Sequence, residues 1–246
     1  MLKSMNEILG YTLDATDGEL GTVHDFYFDD SQWTTRYLVV DTGNWLPGRR
    51  VLISPVAILD SDWGNQRLSV ALTQSQIEQS PSTEGDLPVS RQREMQLVRY
   101  YGWAPYWQPA GTPVGAAAPI LIHPPRADTH AEHQDADPSL RSIREVKGYR
   151  IEARDGLTGH VEDFISDTEG WLIRYITVDT RNWLPGKKVV IPPSWAERVD
   201  WQERRLHIDE TRDRVRNAPE LDFAVAVDRE VERRFHDYYG RPGYWK

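Results

Sequence analysis

Residues 10–48 return as residues 148–186 at a constant offset of 138, so this chain is one module written twice. Gly10-Tyr11 becomes Gly148-Tyr149, Arg36-Tyr37 becomes Arg174-Tyr175, and Trp45-Leu46-Pro47-Gly48 becomes Trp183-Leu184-Pro185-Gly186. The same offset, without a gap, carries Trp63 to Trp201, Pro81 to Pro219, and Tyr100-Tyr101-Gly102 to Tyr238-Tyr239-Gly240. Whatever the module folds into, it must do so in about 100 residues, an ordinary size for a single domain. The expected organisation is a first repeat over 1–107, a flexible Pro/Ala/His-rich linker over 108–138, and a second repeat over 139–246.

Within the first repeat, alternation over residues 22–28 and the β-branched run over 37–40 read as strands, with Asp17-Gly18 and Asp29-Asp30-Ser31 as turns. Pro47-Gly48 and Pro185-Gly186 suit the central positions of a type II turn, because Pro fixes the first φ and Gly accepts a positive second one. Further strands follow at 51–53 and 189–191, and in the stretches 63–72 and 201–208. So many short strands leave no room for crossover helices, so the expected fold is mainly β. Two tandem small antiparallel barrels, each followed by short helices, account for it. Thr73-Gln74-Ser75-Gln76 has the pattern of a capping box, and Ser90 and Asp228 are candidate N-caps for a second helix in each repeat.

Composition narrows the function. A net charge of −9 argues against non-specific nucleic-acid binding, which needs a basic face. With no cysteine there is no disulfide framework, zinc-thiolate site or thiol nucleophile. The longest apolar run, 116–122, is broken by Pro119 and is too short to span a bilayer. The first ten residues do not have a signal-peptide pattern. The expectation is a soluble, cytoplasmic protein without membrane insertion and without a cofactor.

The string Gly-Tyr, Asp-Gly-x-x-Gly-x-Val-x-Asp-Phe, Trp-x-x-Arg-Tyr, Val-Asp-Thr-x-Asn-Trp-Leu-Pro-Gly and Ile-x-Pro occurs in both repeats and resembles the PRC-barrel family. The resemblance covers about 10–72 and 148–208, and the helices and Tyr-Tyr-Gly tags look like those of stand-alone bacterial members. This fold also forms the cytoplasmic domain of the photosynthetic reaction-centre H subunit, and a related barrel forms half of a ribosome-maturation factor. The family implies no catalytic residue and suggests a docking or assembly module.

The residues themselves offer several candidates. Asp25, Asp29, Asp30 and Asp41, with Asp163, Asp167 and Asp179 in the copy, serve either acid–base or cation chemistry or, as turn and strand-end aspartates, structure. His123, His130 and His133 lie in the linker, either as metal ligands or as solvated side chains. Phosphate-loop, His-Glu-x-x-His and Gly-x-Ser-x-Gly motifs do not occur, so catalysis has no anchor.

Arg49-Arg50 and Lys187-Lys188 follow the same turn in both copies and suit an acidic partner or an anion. Arg36 and Arg174 suit a barrel carboxylate or an aromatic face. Trp45 and Trp183 either cap the barrel end or await a partner. Tyr100, Tyr101, Tyr106 and Trp107, with Tyr238, Tyr239, Tyr244 and Trp245, form aromatic tags that either anchor an interface or fold back on the protein. The resulting expectation is a non-catalytic interaction or scaffold module with a protein partner. Its two repeats form an intramolecular pseudo-dimer, and homo-oligomerisation is open. The alternative is a small-ligand or metal-binding regulator that uses the cleft between the barrels.

Overall fold

The computed structural model describes residues 1–81, 89–107, 140–180, 189–219, 221 and 229–245. The first repeat runs β1 (Leu2–Ser4), α1 (Met5–Ile8), β2 (Thr12–Ala15), β3 (Gly18–Asp29), β4 (Thr34–Asp41), β5 (Arg50–Ile53), a 3-10 turn (Pro55–Ala57), β6 (Ile58–Asp62), β7 (Arg67–Val70), α2 (Gln74–Glu78) and α3 (Arg91–Tyr101). The second repeats this order as β8 (Leu140–Ser142), α4 (Ile143–Val146), β9 (Arg150–Ala153), β10 (Gly156–Asp167), β11 (Ile173–Asp179) and β12 (Val189–Ile191). A 3-10 turn (Pro193–Trp195), β13 (Ala196–Asp200), β14 (Arg205–Ile208), α5 (Arg212–Asn217) and α6 (Arg229–Tyr239) complete it. The expected linker lies outside the described residues.

The fold is mainly β, as the alternation requires. In β4 the inward residues Leu38 and Val40 join Phe26 and Phe28 of β3 in the main core. The outward Tyr37 and Val39 join a second cluster with Leu97 of α3. Thr73 and Gln76 close the expected capping box on α2, and Ser90 caps α3. Gly48 takes φ +78 and the Arg49 N–H reaches the Leu46 carbonyl at 3.2 Å, the bond of the expected turn; Pro185-Gly186 lie outside the described residues.

Each sheet has the order β5-β4-β3-β2-β7-β6 or its equivalent β12-β11-β10-β9-β14-β13. The expectation of wholly antiparallel strands is corrected at one place in each sheet, since β2 runs parallel to β7 and β9 parallel to β14. The cause is the 3-10 turn. It joins β5 to β6 as a corner without reversing direction, so the up-and-down alternation slips by one and β7 meets β2 in parallel. The corner also forces the sheet to curl. Ile53 and Ile58, on opposite outer strands, are only five residues apart in sequence, a reach of at most about 18 Å. The edges of a flat six-stranded sheet would stand about 24 Å apart.

The two repeats trade their N-terminal strands. β1 pairs with β10, Leu2 opposite Asp167 and Ser4 opposite Ile165. β8 pairs with β3 in the same register, Leu140 opposite Asp29 and Ser142 opposite Tyr27. Between them Thr34 bridges its own counterpart Leu172. The Thr35 N–H donates to the Trp171 carbonyl at 2.8 Å, and the Ile173 N–H to that of Trp33 at 2.7 Å. A residue pairing with its own image marks a local two-fold axis, as at an isologous dimer interface. Phe28 and Phe164 meet nearby with ring centres 5.7 Å apart, inside one continuous core. The exchange crosses the sequence boundary between the repeats, so each sheet is completed by a strand of the other.

Candidate functional site

The aromatic tags fold back on their own repeats. The Tyr106 hydroxyl donates to Glu94 at 2.9 Å, and the Tyr37 hydroxyl lies 3.4 Å from the same carboxylate. Arg36 stacks on Tyr106 at 4.0 Å, and Arg91 on Trp107 at 4.1 Å. The second repeat reproduces the arrangement. Tyr244 and Tyr175 donate to Glu232 at 3.1 and 2.8 Å, Arg174 stacks on Tyr244 at 4.1 Å, and Arg229 on Trp245 at 4.6 Å.

Tyr101 stacks on Trp103 at 4.3 Å, and Tyr239 packs on Trp195 at 4.2 Å. Tyr100 and Tyr238 keep 40% and 38% of their surface exposed, each donating to a backbone carbonyl, Gln76 and Arg214 respectively. Burial, followed by the neighbouring Glu94, raises the ionisation of Tyr37 and Tyr106 far above the ordinary phenol value, so these hydroxyls remain donors.

Glu94 and Glu232, fully and almost fully buried, were not among the residues singled out from the sequence. Their helical spacing from Ser90 and Leu97 gives no chemical signal, because their partners Tyr37 and Tyr175 lie 57 residues upstream.

The remaining candidates have local partners. The Trp45 indole N–H donates to the Leu20 carbonyl at 2.6 Å, closing one end of the core. The Arg49 guanidinium donates to the carbonyls of Glu78, at 2.6 Å, and Ser80, tying the end of α2 to the turn before β5. Arg50 lies 4.0 Å from Asp41. Trp183, Lys187 and Lys188 lie outside the described residues, as do His123, His130 and His133.

The aspartates serve turns and ion pairs. Asp29 accepts from Ser31 and from Arg36 at 3.0 Å, bonds that outweigh its burial and hold its carboxyl below the usual range. Asp167 pairs with Arg174, and Asp30 with Arg141. Among the described residues no three His, Asp or Glu side chains converge in a way that could hold a metal ion.

The strand exchange creates a cleft of about 530 Å³ where the 168–171 turn of the second repeat meets the corner of the first. Trp63, Trp103 and Trp171 wall it, and its lip carries Val56 and Leu59, 74% and 65% exposed. Thr35, paired with Phe28 beyond the register shift that follows Tyr27, lines it with its Oγ1 buried and unpartnered. Thr168, Glu169, Gly170 and Trp171 belong to the second repeat and the other lining residues to the first, so neither repeat alone forms this cleft.

The family model for the PRC-barrel domain matches this chain twice, over residues 4–76 and 139–215. Each match includes the short N-terminal helix that docks on the other repeat. None of the curated proteins matches the chain. Among the described residues no helix is long and apolar enough to cross a membrane.

Proposed function

The chain belongs to the PRC-barrel domain family, and we propose that it uses the duplicated fold as a non-catalytic interaction module that docks a protein partner at the junction of its repeats. Each curled sheet is read as a barrel whose seam is spanned by the 3-10 corner instead of ladder bonds. The observation that carries the proposal is the pair Val56 and Leu59. They are large apolar side chains left open to water beside an aromatic cleft, in a protein that otherwise folds its aromatic tags back on its own repeats. A partner segment presenting an apolar side chain would fill the cleft against Trp63 and Trp103 and cover that lip.

A second reading has its own support. The buried Thr35 hydroxyl and the buried Arg36 Nε–H lack partners, and a small ligand with a hydrogen-bonding group would satisfy the Thr35 hydroxyl at the cleft wall. The two readings separate experimentally. Val56→Ser with Leu59→Ser removes the apolar lip without touching the core. The proposal expects a partner captured from native lysate by the natural chain to be lost by this double variant at unchanged melting temperature. Equal capture by both would reject it. A ligand-dependent rise in melting temperature that survives the double variant would favour the second reading.

A further inference from the structure

A second concavity, of about 500 Å³, lies where α4 of the second repeat crosses β3 of the first. Its walls are Leu9, Gly10, Thr22, His24, Asp41, Arg144 and Lys147, so it too exists only because the N-terminal segments are exchanged. Its charged side chains are two cations, Arg144 and Lys147, and one carboxylate, Asp41. Arg144 Nη1 sits 3.0 and 3.2 Å from the two ring nitrogens of His24 and 3.2 Å from its carbonyl oxygen. Lys147 Nζ donates to the neutral Asn6 Oδ1 at 2.7 Å. Among the described residues neither Arg144 nor Lys147 has a carboxylate at ion-pair distance. Arg50 adds its charge from β5, next to Asp41, whose Oδ1 accepts from the Gly43 N–H at 3.0 Å. Burial, followed by the charges of Arg50 and Arg144, holds the His24 imidazole below its ordinary value, with Asp25 and Asp41 acting in the opposite direction.

The duplication supplies an internal control. At the symmetric position Glu162 replaces His24, Asn6 replaces Arg144, and Leu9 replaces Lys147. The same backbone is built there with other residues at the three positions, so the fold does not require them. The concavity thus sets Arg144 where its twin has Asn6, although Lys147 also stands at the twin's counterpart of Leu9.

We propose that this concavity binds an oxyanion, the phosphate or carboxylate group of a small molecule, held by the guanidinium fork of Arg144 and the ammonium of Lys147. Arg144 is already oriented by its contacts to His24, and Gly10 leaves the wall without a side chain. The anion would sit against both repeats and so couple ligand binding to their association.

The test is isothermal titration of the full chain with inorganic pyrophosphate and, separately, with citrate, at low salt. The comparison is a variant carrying Arg144→Asn, Lys147→Leu and His24→Glu, the residues found in the twin. The expected result is saturable binding of at least one anion, weakened at least tenfold in the variant and by added salt. Preference for pyrophosphate assigns the group as phosphate, and preference for citrate as carboxylate. Should the triple variant fail to fold, Lys147→Leu alone is expected to weaken binding several-fold. The absence of saturable binding of either anion at millimolar concentration, or equal affinity in a folded variant, would overturn the proposal.

Discussion

Ser4 of the first repeat donates its hydroxyl to the buried carboxylate of Asp163 in the second, at 2.5 Å, and Ser142 does the same to Asp25. Each serine is also the N-cap of a helix, accepting from the N–H of Glu7 or Glu145, so one hydroxyl ends the exchanged strand, starts the helix and satisfies a carboxylate of the other sheet. Asp163 accepts further N–H bonds from Phe164 at 2.7 Å and Asn6 at 3.1 Å. Burial nonetheless keeps its carboxyl, like that of Asp25, above the usual range. Ser4→Ala and Ser142→Ala are each expected to destabilise the chain by about 1.5–3 kcal/mol, the worth of a hydrogen bond to a buried charge plus a helix cap. Urea unfolding midpoints measure it, and a loss below 0.5 kcal/mol, about the cost of an ordinary surface change, would show that the contact contributes little.

The tag latch makes a stronger prediction. Glu94→Ala leaves the hydroxyls of Tyr37 and Tyr106 without their shared acceptor and Arg91 without its ion pair. The expected cost is about 3 kcal/mol or more, and Glu232→Ala should behave alike. Tyr100→Ala, on an exposed ring, should cost under about 1 kcal/mol. Thermal melts of the three variants rank them directly.

Much of this was legible in the sequence. The repeat offset gave the duplication, and the alternation of β4 and the capping box at Thr73 gave its mainly β character and the start of α2, because those two depend on residues close in sequence. The strand exchange was not legible. Leu2-Lys3-Ser4 carries too few residues for a periodic signal, and the choice between its own sheet and the other one is made by long-range contacts such as Ser4 with Asp163. The parallel pairing of β2 with β7 was hidden for a related reason, since a corner and a reversing turn both read as Pro-rich punctuation. The cleft and the cationic concavity followed from the exchange and were equally out of reach. Trp45, Arg49 and the tags were visible, but their partners were not.

A glycine defines the bend in β3. Gly21 adopts φ +138, and a Cβ there would collide with the Asp41 carbonyl oxygen; Gly159 meets Asp179 in the same way. Gly21→Ala must therefore push β3 away from β4. A loss of about 2 kcal/mol or more is expected from overpacking and backbone strain together, read from the shift in urea midpoint.

His236 predicts a pH dependence. It replaces Val98 of the first repeat, is buried against Trp195, Phe235 and Trp245, and its Nε2 lies 3.1 Å from the Tyr175 hydroxyl. Burial lowers its pKa, offset only in part by Asp237 and the Pro242 carbonyl. The unfolded chain therefore takes up a proton near pH 6.5 that the folded chain resists. Stability contributed by neutral His236 is present above that pH and is lost as the pH falls through it towards the depressed folded value. His236→Val should flatten the loss of stability between about pH 7 and 5, whatever it does to stability at pH 8. An unchanged slope would mean that the imidazole is not protonated on unfolding.

The account rests on the two repeats completing each other. Its most direct test is to place a protease site between residues 107 and 140, cleave the folded chain, and pass it over a size-exclusion column with light scattering. Strand exchange and the shared core predict that the two fragments elute together with the mass of the intact chain and part only in denaturant. Two separate species of half the mass under native conditions would contradict it, and would remove both the aromatic cleft and the cationic concavity.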